Sequence, residues 1–224
     1  MLSLQEIQKY YAENLENKIF RYQLRSGQVI DLRFYAQSFC HLLGIHHIMH
    51  QDRNFTGLRG YQKIANGEMT LATLRQRDRQ QYRMMKRRMM SLVRLIEVLG
   101  KGDLYKFYLM RQLRSKIRAD FVLYWKEETN ELYHNLFLAK EKSLLQNRQN
   151  DNAYSALSYI VLTGKDDYDM YIDHQEYKKI VAFEILSCNK HGNLHPRTSI
   201  RPSTRPAMTA AKPRTRLART LAAA

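Results

Sequence analysis

Apolar and polar positions alternate with a period of two from Lys18 to Phe34 and then switch to helical spacing. Phe20, Tyr22 and Leu24 alternate with Arg21, Gln23 and Arg25, and Ile30, Leu32 and Phe34 alternate with Asp31 and Arg33. That is the pattern of two strands, each buried on one face. Ser26-Gly27 between them predicts a tight turn, with Gly27 supplying the positive φ such a turn needs. Beyond Ala36, Phe39, Leu42, Leu43 and Ile45 recur at helical intervals, and Gly44 loosens that helix or permits close packing. Ahead of the hairpin, Ser3-Leu4-Gln5-Glu6 fits a capping box, and Leu4, Ile7, Tyr11 and Leu15 mark the apolar face of a first helix.

Met49 to Gly67 carries Gly57, Gly60 and Gly67 among scattered polar residues and predicts a connector with at most short structure. Thr70 can cap the helix after it. Good helix formers run from Leu71 to Leu99, and Leu92, Leu95, Ile96 and Leu99 form an apolar stripe before Gly100 and Gly102. The expectation is one long basic helix, or two in line, within residues 70–100. Strand patterns then return: Ile117 to Trp125 and Leu132 to Ala139 predict a second hairpin turning near Thr129-Asn130. Tyr154 to Thr163, a short Tyr168 to Ile172 segment and Ile180 to Leu186 predict more strands, with a turn at residues 164–167. Helices precede most strands and no repeat at fixed spacing is visible. The fold class is therefore α+β, with N-terminal helices packed on a small, mostly antiparallel β-sheet, as one domain over residues 1–188.

Composition bounds the partners. At 224 residues and 44% hydrophobic content the chain can build one substantial core. It has no run of about eighteen apolar residues, and its start, with Gln5 and Glu6, lacks a basic then apolar leader. No membrane span and no signal peptide are expected, and the default compartment is cytoplasmic. Two cysteines, Cys40 and Cys188, support neither a disulfide framework nor a four-cysteine zinc site. The net charge of +16 attracts polyanions. After Glu184 there are eight cations, no acid and all four prolines, so residues 189–224 read as a disordered basic tail that either holds a polyanion or acidic partner or simply trails. The remainder keeps 16 − 8 = +8. RNA is the expected partner, though charge alone does not separate RNA from DNA.

The motifs exclude several chemistries. There is no P-loop, dinucleotide glycine fingerprint, GxSxG elbow or HExxH pair. What stands out is a cluster of His41, His46, His47 and His50. His46 and His50, four apart, would share one face of a continuous helix and suit a metal ion, but without a fixed third ligand that pattern is weak, and no metal or other cofactor is expected. A hydrogen-bonded His41 within the helix packing is the structural alternative. Imidazoles can also do acid and base work on RNA, where cleavage beside a 2′-hydroxyl needs a proton acceptor, a proton donor and a cation to steady the phosphorane. Candidates are His41, with Lys116 and Arg118 for phosphate, Ser158 and Tyr171 for positioning and His134 as a second imidazole; each also has an ordinary packing or surface role. Arg75, Arg79 and Arg83 share one helix face, continued by Lys86 and Arg87, and form a phosphate-binding strip or a solvated face.

The hairpin, the FxxHLLGIHHI run from Phe39 to Ile48, and the later SALSYIVL and YIDHQEYKKI stretches resemble the phage-borne nuclease domains of the barnase, EndoU, colicin and RelE-like superfamily over about residues 16–187. This resemblance implies helices on a small antiparallel sheet and a metal-independent ribonuclease acting as a toxin of phages or integrative elements, with a cognate inhibitor protein as a further expected partner. Within the matched motifs it points to His41, Ser158, Tyr171 and Gln175. The Arg- and Met-rich helix and the basic tail depart from the pattern. They leave open a noncatalytic nucleic-acid-binding or protein-binding accessory factor, such as an inhibitor of a host defence complex.

Overall fold

A computed structural model of the chain describes residues 2–50, 52–109, 116–141, 152–164, 170–188 and 194–200. It opens with α1 (Leu4–Asn14), started by the capping box. The Ser3 hydroxyl accepts from the Glu6 amide at 3.1 Å, and the Glu6 carboxylate accepts from the Ser3 amide at 2.7 Å. Two donors that a helix start leaves orphaned are thereby satisfied. β1 (Lys18–Leu24) and β2 (Val29–Arg33) form the expected hairpin, Phe20 opposite Leu32, with Gly27 at φ +85°.

The remaining strands are β3 (Asp103–Lys106), β4 (Phe121–Glu127), β5 (Leu132–Lys140), β6 (Ala153–Thr163), β7 (Glu176–Lys178), β8 (Ile180–Cys188) and β9 (Leu194–Ile200). Among the described residues they make one sheet in the order β7-β3-β4-β5-β6-β2-β1-β8-β9. The fold is α+β, but the sheet is mixed, which corrects the mostly antiparallel expectation. At its centre β2 runs parallel to β6, Asp31 opposite Ala153 and Arg33 opposite Ser155. Alternation along a strand reports which face is buried; it carries no information on the direction of a distant neighbour. Within the expected 189–224 tail, β9 pairs with β8, Phe183 opposite Ile200. The rest of that tail, 201–224, lies outside the described residues, as do most of the turn at 164–167 and the start of the Tyr168 segment.

Between β2 and β3 runs a chain of short helices: a 3-10 turn at Ala36–Ser38, α2 (Phe39–Leu42), α3 (Ile45–Ile48), α4 (Gly57–Ala65), α5 (Leu71–Arg77), α6 (Arg79–Ser91), a 3-10 turn at Leu92–Arg94 and α7 (Leu95–Lys101). The connector expected over 49–67 holds nine-residue α4. Gly60 serves close approach there, since a Cβ would come 2.3 Å from the Phe55 carbonyl oxygen and 2.8 Å from Cys40 Sγ. Nor is there one long basic helix. Asp78 is extended (φ −152°, ψ 100°), and its carboxylate accepts from the Gln81 amide at 2.9 Å, so it caps α6 instead of continuing α5.

The helices cover one face of the sheet, and Leu4, Ile7, Tyr11, Phe20, Tyr22, Leu95 and Phe121 belong to the core between them. Each such side chain, fully buried, contributes about 1.5–3 kcal/mol. Tyr22 satisfies its buried hydroxyl by donating to the Leu99 carbonyl at 2.9 Å. A smaller apolar cluster of Phe107, Val122, Phe137 and Tyr171 lies apart from the main core. Among the described residues no helix is long and apolar enough to cross a membrane.

Gly44, at φ +76°, separates α2 from α3, and a Cβ there would sit 2.5 Å from Met85 Sδ and 3.3 Å from Arg88 Nη1. The left-handed backbone alone costs an L-residue about 1–2 kcal/mol. Gly44→Ala is accordingly expected to lower stability by at least about that amount, read from the urea midpoint; an unchanged midpoint would refute the requirement for glycine.

Candidate active site

β6 continues well past Ser155, the last residue that pairs with β2, while the chain leaving β2 turns into α2 and α3. A cleft of about 450 Å³ opens there, lined by His41, His46 and His47 from α2 and α3, Arg88 from α6, Lys116, Ile117 and Arg118 ahead of β4, and Leu157, Ser158 and Ile160 from β6. A β-bulge shapes the β6 wall. Phe137 faces Ser158 but Leu138 faces Ala156, leaving Leu157 as the extra residue. Bulges re-aim neighbouring side chains, and Leu157 and Ser158 both reach the cleft.

Arg88 forms the floor, 8% exposed. Its guanidinium donates to the Leu42 carbonyl, to the His41 carbonyl at 3.0 Å and to Ser158 Oγ at 3.2 Å. Burial lowers its pKa to about 10, so it stays charged at neutral pH. Among the described residues no carboxylate pairs with it; the groups that favour its charge are Tyr159 and Tyr171. A buried cation without an ionic partner is costly. The cleft therefore favours an anion.

Three imidazoles stack beside it. His41 and His46 lie 4.1 Å apart between centroids at 17°, and His46 and His47 3.9 Å apart at 40°. Desolvation, then the neighbouring Arg88 charge, lowers the pKa of His41 and of His47. His46, in the middle, is lowered to about 3 by desolvation and by the charges of His41, His47 and Arg88. Its Nδ1 is buried without a hydrogen-bond partner. At neutral pH His46 is uncharged, which permits the close stack.

Of the residues expected from the sequence, His41, Lys116, Arg118 and Ser158 come together in this cleft. Lys116 and Arg118 are exposed and precede β4, which starts only at Phe121, so they lie ahead of the second hairpin and not on it. Three others do not line it, although Tyr171 stays near enough to Arg88 to favour its charge. His134 is fully buried on β5, its Nδ1 2.6 Å from the Tyr159 hydroxyl, which in turn donates to the Ser91 carbonyl at 3.0 Å. Its Nε2 lies 3.5 Å from the Glu127 carboxylate. Tyr171 packs edge-on to Phe137 at 5.1 Å, and Gln175 clamps the Tyr108 backbone, accepting from its amide at 2.8 Å and donating to its carbonyl at 3.0 Å.

The arginine strip is interrupted. Arg75 belongs to α5, on the far side of Asp78 from Arg79, Arg83 and Arg87, which are exposed on α6 with Lys86 half-buried. The helix that a His46–His50 metal pair requires ends at Ile48, and His50 sits at φ +50°, 3.5 Å from Asp78. Among the described residues no group of three or more His, Cys, Asp or Glu is placed to hold a metal. Sequence reasoning missed Arg88. The available signal was position: it shares a helix face with Met85, Met89 and Leu92, whereas Arg83 and Arg87 face solvent.

Imidazoles, cations and a hydroxyl around an anion-favouring cleft are the equipment of a phosphodiester-cutting enzyme. Over residues 3–190 the chain matches the family described as phage-Barnase-EndoU-ColicinE5/D-RelE like nuclease4 (PBECR4), and it belongs to that family. No curated protein and no solved structure matches it. The phage-associated, nuclease-like class implied by the FxxHLLG run is therefore the chain's own.

The lowered His46 pKa has a sign that stability can report. Below pH 6.5, the ordinary histidine value, the unfolded chain takes up a proton that folded His46 refuses until about pH 3. Stability is expected to fall as pH drops through this window, and His46→Asn to flatten that dependence in urea midpoints taken from about pH 7.5 to about 4.5. A variant with the wild-type slope would remove the basis for an uncharged stack.

Proposed function

We propose that the protein is an RNA-cleaving, toxin-like nuclease of a phage or integrative element, acting in the His41 cleft by transesterification without a metal. The observation that carries this reading is the buried Arg88, which pairs with no carboxylate among the described residues, at the floor of a cleft that also holds His41, Lys116 and Arg118. A phosphodiester entering there supplies the missing negative charge. His41, uncharged at neutral pH, takes the proton from the ribose 2′-hydroxyl as that oxygen attacks phosphorus. The bond from phosphorus to the 5′-oxygen breaks, Lys116 donates its own proton to the leaving oxygen, a 2′,3′-cyclic phosphate remains, and exchange with water resets protonated His41 and deprotonated Lys116. Arg88 and Arg118 steady the charge of the phosphorane, while Ser158, held by Arg88, positions a phosphate oxygen. Among the described residues the cleft lining includes no carboxylate, the ligand type on which two-metal nucleases depend. Arg79, Arg83 and Arg87 would hold the flanking backbone as a screening-sensitive contact.

The test is incubation of the purified chain with RNA in the presence of EDTA. Expected are fragments ending in 2′,3′-cyclic phosphate, a loss of about 10²–10⁴-fold in rate for His41→Ala, and a comparable loss for Arg118→Ala with the fold retained. DNA, which lacks the attacking hydroxyl, should stay intact. RNA left whole under varied conditions, or cleavage that needs a divalent cation, would overturn the assignment.

A further inference from the structure

We infer that a second cleft, between α7 and the β4–β5 turn, binds the guanidinium of an arginine side chain or a free alkylguanidine, stacked on Trp125 and paired with Glu127. The site shares no lining residue with the His41 cleft and does not depend on RNA cleavage. It encloses about 460 Å³, a size suited to a small ligand or one long side chain. Trp125 and Glu127 stand two apart on β4, so they share one face of the strand, and both line the cleft. Trp125 is half-buried, its ring stacked on His134 with centroids 5.0 Å apart, and the Lys101 ammonium lies 5.7 Å from its centroid. A cation is thus already drawn to this indole.

The carboxylates of the cleft are unequally served. Glu97 accepts from Arg94 at 2.8 Å and from Lys101 at 3.2 Å. Glu127 is 5% exposed; among the described residues it accepts one hydrogen bond, from the Asn130 amide at 2.9 Å, while Arg94 comes only to 3.6 Å. A carboxylate has room for about four such bonds. His134 does not make up the difference. The single Tyr159 hydroxyl proton goes to the Ser91 carbonyl at 3.0 Å, so the phenol oxygen accepts from His134 Nδ1 at 2.6 Å. In the neutral ring that leaves Nε2 a bare acceptor. It is buried without a hydrogen-bond partner and lies 3.5 Å from the Glu127 carboxylate, acceptor facing acceptor. Desolvation disfavours the imidazolium that would place a proton between them. What Glu127 lacks is a donor that carries positive charge. A guanidinium is such a donor, since its planar fork matches a carboxylate and its flat face stacks on an aromatic ring.

Trp125 is the only tryptophan of the chain, so its emission reports this site alone. The experiment titrates the full chain with agmatine, a free alkylguanidine, with an end-blocked Gly-Arg-Gly peptide, and with the same peptide carrying citrulline, a neutral isostere. Expected are a saturable emission change with agmatine or the arginine peptide, none with the citrulline peptide, and binding weaker by about tenfold or more in Glu127→Gln. The tighter of the two guanidinium ligands identifies the source, small molecule or partner chain. Should Glu127→Gln fail to fold, Lys101→Ala decides. The Lys101 side chain is 61% exposed, and removing its ammonium frees both the ring and Glu97, so the guanidinium should bind more tightly. Emission unchanged by either guanidinium ligand, an equal response to citrulline, or binding no tighter in Lys101→Ala would overturn the site.

Discussion

A single guanidinium, placed where water scarcely reaches it, joins three parts of the chain far apart in sequence. Arg88 brings α6 to the last carbonyls of α2 and to the bulged stretch of β6. Its planar fork suits acceptors held in fixed directions, which an ammonium would not match as well. Close approach of α6 then becomes a requirement. Met85 and Arg88 crowd the turn between α2 and α3, where the left-handed backbone at position 44, φ +76°, favours glycine. The next residue of β6 adds a second hold, since Tyr159 donates to the Ser91 carbonyl one turn further along α6. Helix, turn and bulge are fixed together, and the cleft is the space they leave.

The same charge sets the chemistry of the cleft. A cation with hydrogen bonds but, among the described residues, no ionic partner raises the local potential and disfavours a second positive charge nearby. His41, His46 and His47 all bind protons less readily as a result, with desolvation contributing most. Uncharged imidazoles pack against one another and can accept protons. The stability given up in burying Arg88 is of the kind that proteins forgo at functional sites, where local rules are broken for an external ligand.

His134 shows how place decides the work of a residue type. It too is a buried imidazole, but it lies between Trp125 and Tyr159, with centroids 5.0 and 6.0 Å away, and its polar neighbours are a phenol and a carboxylate from the protein itself. Desolvation still lowers its pKa, and the carboxylates that oppose this, Glu127 first, are the protein's own. His41, by contrast, stands exposed on a one-turn helix over a cleft whose buried guanidinium meets no carboxylate among the described residues. Ser158 bonds the cleft guanidinium directly, while Tyr171, packed among Phe107, Val122 and Phe137, acts on it only through its field.

By itself the sequence determined what is local: the capped first helix, the β1–β2 hairpin with its Gly27 turn, strands β5, β6 and β8, the Thr70 cap and the basic balance of the chain. Those features depend on spacing and on residues a few positions apart, which a linear pattern records. It also brought forward His41, Lys116, Arg118 and Ser158, because their chemistry is conspicuous wherever they lie. Only the tertiary structure decided that β2 and β6 run parallel, that Asp78 would cap one helix by ending another, that residues 194–200 would add a strand, and that Arg88, and not its exposed neighbours, would reach the cleft. Each of these turns on contact between segments far apart along the chain. Hydrophobic periodicity says that a face is buried, but not against what, and a charge on such a face acquires its role from the groups that close over it.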